Sequence, residues 1–136
     1  MTWQSVILWL LFAAFVAAAV ALEWRPDLFA LQGALGAGKY LLWLGFAAFS
    51  FYSLYCTTQE NLFATIGKMS QWHWGRQIGI DLYIGLLISM FIVGLNEASL
   101  PLLLFWLVPT LIYGNQTTLL YFALNYEQIV GRLLAT

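Results

Sequence analysis

Hydrophobic and polar positions divide this chain into long apolar runs separated by short polar breaks. A helix that crosses a bilayer needs about 20 mostly apolar residues. The first run, Trp3 to Leu22, meets that length. Trp3 and Trp24 bracket it about 31 Å apart at the helical rise, close to the hydrocarbon thickness. The break "EWRPD" follows, where Pro26 cannot donate a hydrogen bond and disfavours helix at Arg25. The later runs predict helices over 38–57, 77–95 and 100–126, the last kinked by Pro109.

Two segments stand outside this scheme. "LFALQGALGAGK", residues 28–39, is apolar and glycine-rich but too short to span, so it lies at the interface, re-enters, or extends the second helix with Lys39 snorkelling outward. "ENLFATIGKM" places Leu62, Phe63, Ile66 and Met69 at roughly helical spacing, with Glu60 and Lys68 free to face water, and predicts a short interfacial helix. "NEASLP" is a helix stop, with Glu97 a turn or capping residue, Ser99 capping the next helix and Pro101 in its first turn.

The expected fold class is therefore all-α. Residues 1–136 form a single transmembrane helical domain, a polytopic bundle of about four transmembrane helices with a short interfacial helix between the second and third. Composition agrees. The chain is 62% hydrophobic and 8% charged, against about 25% charged in soluble domains. A soluble chain this small could not hide so much apolar surface. Ala19-Val20-Ala21 has the small-residue look of a cleavage site, but "MTWQS" carries no positive charge and the run exceeds a typical signal core, so an uncleaved first span is expected.

A net charge of -1 offers no basic face to nucleic acid. Four spans put both termini on one side, with Lys68, Arg76 and Arg132 there and Arg25 and Lys39 opposite. That small excess turns the termini toward the cytoplasm, and the expected location is a bacterial inner membrane. The single cysteine, Cys56, excludes an internal disulfide and a multi-cysteine metal cage and is expected to be a small packing residue.

The candidate chemistry is sparse. "SQWHWGRQIGID" holds the only histidine, His73, between Trp72 and Trp74. With no second histidine and no spaced ligand set, it is expected to be an interfacial anchor with Trp3, Trp24, Trp72, Trp74 and Arg76, and no metal or cofactor is expected. Asp81 lies inside the third span, where an ionisable group usually faces the bundle interior and pairs. Asp81 and Ser89 on that helix, with Asn115, Gln116, Thr117 and Thr118 on the next, make a candidate intramembrane polar seam. Asn115 or Gln116 is the expected partner of Asp81, Arg76 the other. Ser50, Ser53 and Thr57 share one face of the second helix.

"DLYIGLLISMFIVGLNEAS", Trp106 and "GNQTTLLY" resemble a domain-of-unknown-function family of small multi-spanning membrane proteins. The matching positions are Asp81, Tyr83, Glu97, Ser99, Trp106, Gly114, Thr117, Thr118 and Tyr121, with Ser99 displaced by one. The resemblance covers the C-terminal part of the chain. It implies a compact multi-spanning bundle and brings no established activity.

No catalytic set is present: no nucleophile, base and acid in credible reach, no histidine cluster and no phosphate loop. The expected role is an accessory, assembly or interaction subunit of a membrane complex, its partners the lipid bilayer and another membrane protein or a second copy. The alternative is a homo-oligomeric small transporter or channel with Asp81 in its polar pathway.

Overall fold

The computed structural model describes residues 2–26, 28 and 36–135, and its described residues form seven helices. They are α1 (Trp3–Leu22), α2 (Ala37–Gln59), α3 (Leu62–Met69), α4 (His73–Glu97), α5 (Leu100–Tyr113), α6 (Asn115–Leu124) and α7 (Tyr126–Ala135). The all-α class is as expected, and α1, α2 and α4 are long and apolar enough to cross a membrane. Most of the glycine-rich segment, residues 29–35, lies outside the described residues.

Local chemistry sets the helix ends. Thr2 caps α1 by accepting from the Ser5 amide at 3.2 Å. Asn61 does the same for α3 through Ala64 at 3.1 Å, so the expected short helix between the second and third long ones is present. Ser99 occupies the N-cap of α5 but its side chain makes no capping bond, and Pro101 sits in the first turn as expected. Ala98 takes up the left-handed conformation that ends α4, at φ 52°.

The long helices run back and forth between two ends of the bundle. Trp9 near the start of α1 donates through Nε1 to Thr57 near the end of α2 at 3.1 Å. We call that the proximal end; it also carries α3 and the start of α4. The distal end holds Glu23, Gly36, Glu97 and Leu124.

The expected single helix over 100–126 is corrected: it is two helices folded back on each other. Gly114 separates them at φ 60°, ψ -130°, a backbone conformation open to glycine and strained for other residues. Trp106 before the turn and Tyr121 after it meet edge to face, ring centroids 4.8 Å apart. The chain therefore enters at the distal end through α5, reverses at Gly114 and returns through α6. Pro109 lies within α5 and does not make the break. Thr2 and α7 consequently lie at opposite ends of the bundle.

Helix α6 is the axis of the fold. Gln116, Thr117, Thr118, Leu120, Tyr121, Ala123 and Leu124 are all buried. It packs most extensively on α2, then α5 and α4. Leu120, Tyr121 and Leu124 join Ala19, Leu28, Met90, Val93 and Trp106 in one core cluster toward the distal end. Helix α4 buries Leu86, Met90, Val93 and Asn96, all in its second half. Its first half extends past the hairpin tip with no residue buried.

The reversal gives the Gly114→Ala substitution a definite sign. In a continuous helix, alanine would stabilise by about 1 kcal/mol. At a positive-φ turn with open space around the Cβ position it should destabilise by about 1–2 kcal/mol. Thermal or denaturant unfolding in a fixed detergent reads the difference, and a stabilised variant would contradict the turn.

Candidate functional site

The expected polar seam separates into two places. Gln116, Thr117 and Thr118 are buried on α6, whereas Asn115 is exposed at the hairpin tip. Thr118 bonds back to the Asn115 carbonyl at 3.1 Å. Asp81 is not with them. It is exposed on the outer face of α4, and no hydrogen bond or ion pair joins it to another described residue. None of the three expected partners bonds it: Arg76 turns to His73, Nη2 to Nδ1 at 3.3 Å, Asn115 Oδ1 accepts from Thr118 at 3.2 Å, and Gln116 is buried on α6. Ser89 bonds the Gly85 carbonyl of its own helix at 3.0 Å. The physical reason is the reversal at Gly114, which stops α6 short of the first half of α4.

A shallow groove along α4 is lined by His73, Arg76, Gln77, Ile80, Asp81 and Ile84. It is a polar stripe at helical spacing, flanked by exposed Ile78, Leu82 and Leu87. Gly85 continues it with open space over its Cα. The anchors Trp3, Trp24, Trp72 and Trp74 are all exposed, Trp3 and Trp24 at opposite ends of α1. Cys56 is exposed as well, and so is not the packing residue expected.

The distal end holds a polar network that the sequence did not reveal. Tyr121 donates to Glu97 Oε1 at 2.8 Å and accepts from Asn96 Nδ2 at 2.6 Å. Glu97 is thus an interior partner of α6 and not the turn or cap residue expected. Arg25 donates to the Leu124 carbonyl at the end of α6, where a cation suits the helix dipole. Arg132 of α7 donates to the Asn96 carbonyl at 3.0 Å, closing the end of α4. Lys39 does not snorkel outward. It is 1% exposed and pairs with Glu127 of α7 at 2.9 Å. These residues come from five separate helix ends, and hydrogen bonds and one ion pair link them.

Glu23 joins this network at the end of α1. Burial raises its carboxyl pKa above the ordinary 4.5, and the Glu97 carboxylate adds to the rise, while Arg25 and a hydrogen bond from Asn125 act against it. Elsewhere in the bundle Tyr83 donates to the Leu111 carbonyl at 3.1 Å, Trp106 meets Tyr121, and Gly114 makes the turn.

No family model matches this chain, and no similarity to a curated protein or to a solved structure was found. The site's reading therefore rests on its own geometry. Among the described residues no group of histidine, cysteine and acidic side chains is placed to hold a metal ion.

A raised Glu23 pKa works against stability above the unfolded value, because the folded state then resists ionisation. Stability should fall as pH rises from about 4.5 through the raised folded pKa. Glu23→Gln should flatten that dependence and raise the unfolding midpoint at pH 7. Unfolding midpoints across pH 4 to 7 in one detergent check this; an equal slope in the variant would contradict it.

Proposed function

We propose that this protein is an integral membrane protein with three spans, α1, α2 and α4, and a re-entrant hairpin, α5–α6, and that it works as an accessory subunit docking on a membrane partner through the first half of α4. The composition and the three long apolar helices support the membrane setting. Re-entrant helices at membrane depth are tolerated where protein buries them, as α6 is buried here. Helix α3, with Leu62, Phe63 and Ile66 exposed and Lys68 in its last turn, suits the headgroup layer. So do Trp72 and Trp74 at the start of α4.

Asp81 is the observation that carries the docking role. It lies about 12 Å along α4 from His73, past the turn that carries Arg76, and it faces outward. A carboxylate facing lipid at a helix centre costs about 2.5–3.5 kcal/mol on insertion scales, and less toward the end. A donor from a partner helix removes that cost. The polar stripe around Asp81 and the open Gly85 give such a helix both hydrogen bonds and close approach.

The arrangement also supports an orientation. Arg25, Lys39 and Arg132 lie toward the distal end, Lys68 and Arg76 toward the proximal end. The excess supports a cytoplasmic distal end in a cytoplasmic membrane.

Native mass spectrometry of protein released gently from its own membrane tests the role. The wild type should appear in a discrete complex with a second protein, and Asp81→Leu should release it as a 15.4 kDa monomer. Multiples of 15.4 kDa would favour the alternative, a self-associated transporter or channel with Asp81 between copies. A wild-type monomer, or a complex indifferent to Asp81→Leu, would contradict the docking role.

A further inference from the structure

The last helix, α7, crosses the distal end of the bundle and runs past its edge. It follows α6 after one residue, Asn125, whose backbone leaves the helical angles at φ -109°, ψ 16°. Two contacts then hold it across the ends of two spans. Glu127 in its first turn pairs with Lys39 near the start of α2 at 2.9 Å. Arg132 in its last turn donates to the Asn96 carbonyl near the end of α4 at 3.0 Å. Tyr126 sits against Gly38, where a larger side chain would collide with its ring. The helix has 10 residues and is about 15 Å long.

Its residues divide by face. Ile129, Val130, Leu133 and Leu134 share one side at i and i+4 spacing, and Gln128, Gly131 and Ala135 take the other. The apolar side begins as part of the fold: Ile129 packs against the core cluster and Val130 is half-buried. One turn later the same side is open, and Leu133 and Leu134 are each 71% exposed. Because α7 rests on the bundle by this side, the side points along the spans toward the middle of the molecule. Leu133 and Leu134 point the same way, beyond the protein that shields Ile129.

The level of the overhang decides what lies beneath it. Helices α1, α2 and α4 each have an end there, and Trp24, just past α1, is exposed at that end. Tryptophan favours the headgroup boundary. Under the three-span reading above, on which this inference rests, the volume below the overhang is the outer part of the acyl layer. We propose that α7 is an interfacial helix of the distal leaflet, with Leu133 and Leu134 buried among lipid acyl chains and Gln128 in water. The contact is apolar: Glu127 is paired with Lys39, and Arg132 is hydrogen-bonded to the Leu95 and Asn96 carbonyls. A zwitterionic lipid therefore suffices. With α3 in the headgroup layer at the proximal end, one amphipathic helix then fixes the bundle at each face of the bilayer. This anchoring is independent of the docking role given to α4.

The test uses the full chain in phosphatidylcholine nanodiscs, with a nitroxide label on single cysteines in a Cys56→Ser background: Leu134→Cys, Gln128→Cys, and Leu11→Cys on the exposed side of α1. Power-saturation EPR compares collisions with oxygen, which concentrates in lipid, and with a nickel chelate, which stays in water. The label at 134 should meet oxygen more than nickel and lie about 5–10 Å below the headgroup boundary. The label at 128 should show the reverse order. Position 134 is exposed, so labelling leaves the core undisturbed. A nickel preference at 134 overturns the proposal. So does shielding of 134 from both reagents, which would give the overhang to a second copy of the chain. The label at 11 reads the membrane setting by itself. An oxygen preference at 11 with a nickel preference at 134 removes α7 from the bilayer and keeps the spans, whereas a nickel preference at 11 overturns both.

Discussion

The fold depends on reversing the chain inside an apolar bundle. A reversal there leaves the amides at the start of α6 without helical partners, and few residues can adopt the backbone angles it needs. Gly114 meets the angular demand, and its amide bonds the Thr110 carbonyl at 2.9 Å. The returning helix is then enclosed by α2, α4 and α5, which is why Thr117, Leu120, Tyr121, Ala123 and Leu124 are fully shielded. At its far end Arg25 donates to the last carbonyl and Tyr121 is fixed between Asn96 and Glu97. The distal network is the set of groups that satisfies the hairpin where it re-emerges.

Placing α6 in the centre has two structural costs. The hairpin is shorter than the helices around it, so it leaves a cavity beneath its tip on one side. On the other side the first half of α4 buries no residue. Gln116 lines the cavity and Asp81 lies on that half of α4. Both placements follow from one turn.

The sequence made much of the frame legible. Length and apolarity placed α1, α2 and α4 to within a few residues, and the amphipathic spacing of Leu62, Phe63 and Ile66 placed α3. The reversal was hidden because Leu100 to Tyr126 is long, apolar and broken only by Pro109 and Gly114, and periodicity cannot tell a buried helix pair from one long span. Of the two, the proline is the stronger break signal, while a lone glycine in an apolar run is equally consistent with tolerated packing. A continuous helix would carry Asn115 and Gln116 past Asp81, whereas the reversal leaves Asp81 exposed on α4. The Lys39–Glu127 pair and the Glu23, Asn96, Glu97, Tyr121 and Asn125 group were illegible for another reason. Their members are far apart in sequence, and only the return of α6 gathers them.

Sidedness of the two ends tests the hairpin most directly. Single cysteines at Thr2 and at Gln128, each in a Cys56→Ser background, can be labelled with a membrane-impermeant maleimide before and after permeabilising sealed vesicles. The account predicts that one position labels from outside and the other only after permeabilisation. Labelling of both from the same side would mean that α5 and α6 form one continuous span, and the fold described above would be wrong.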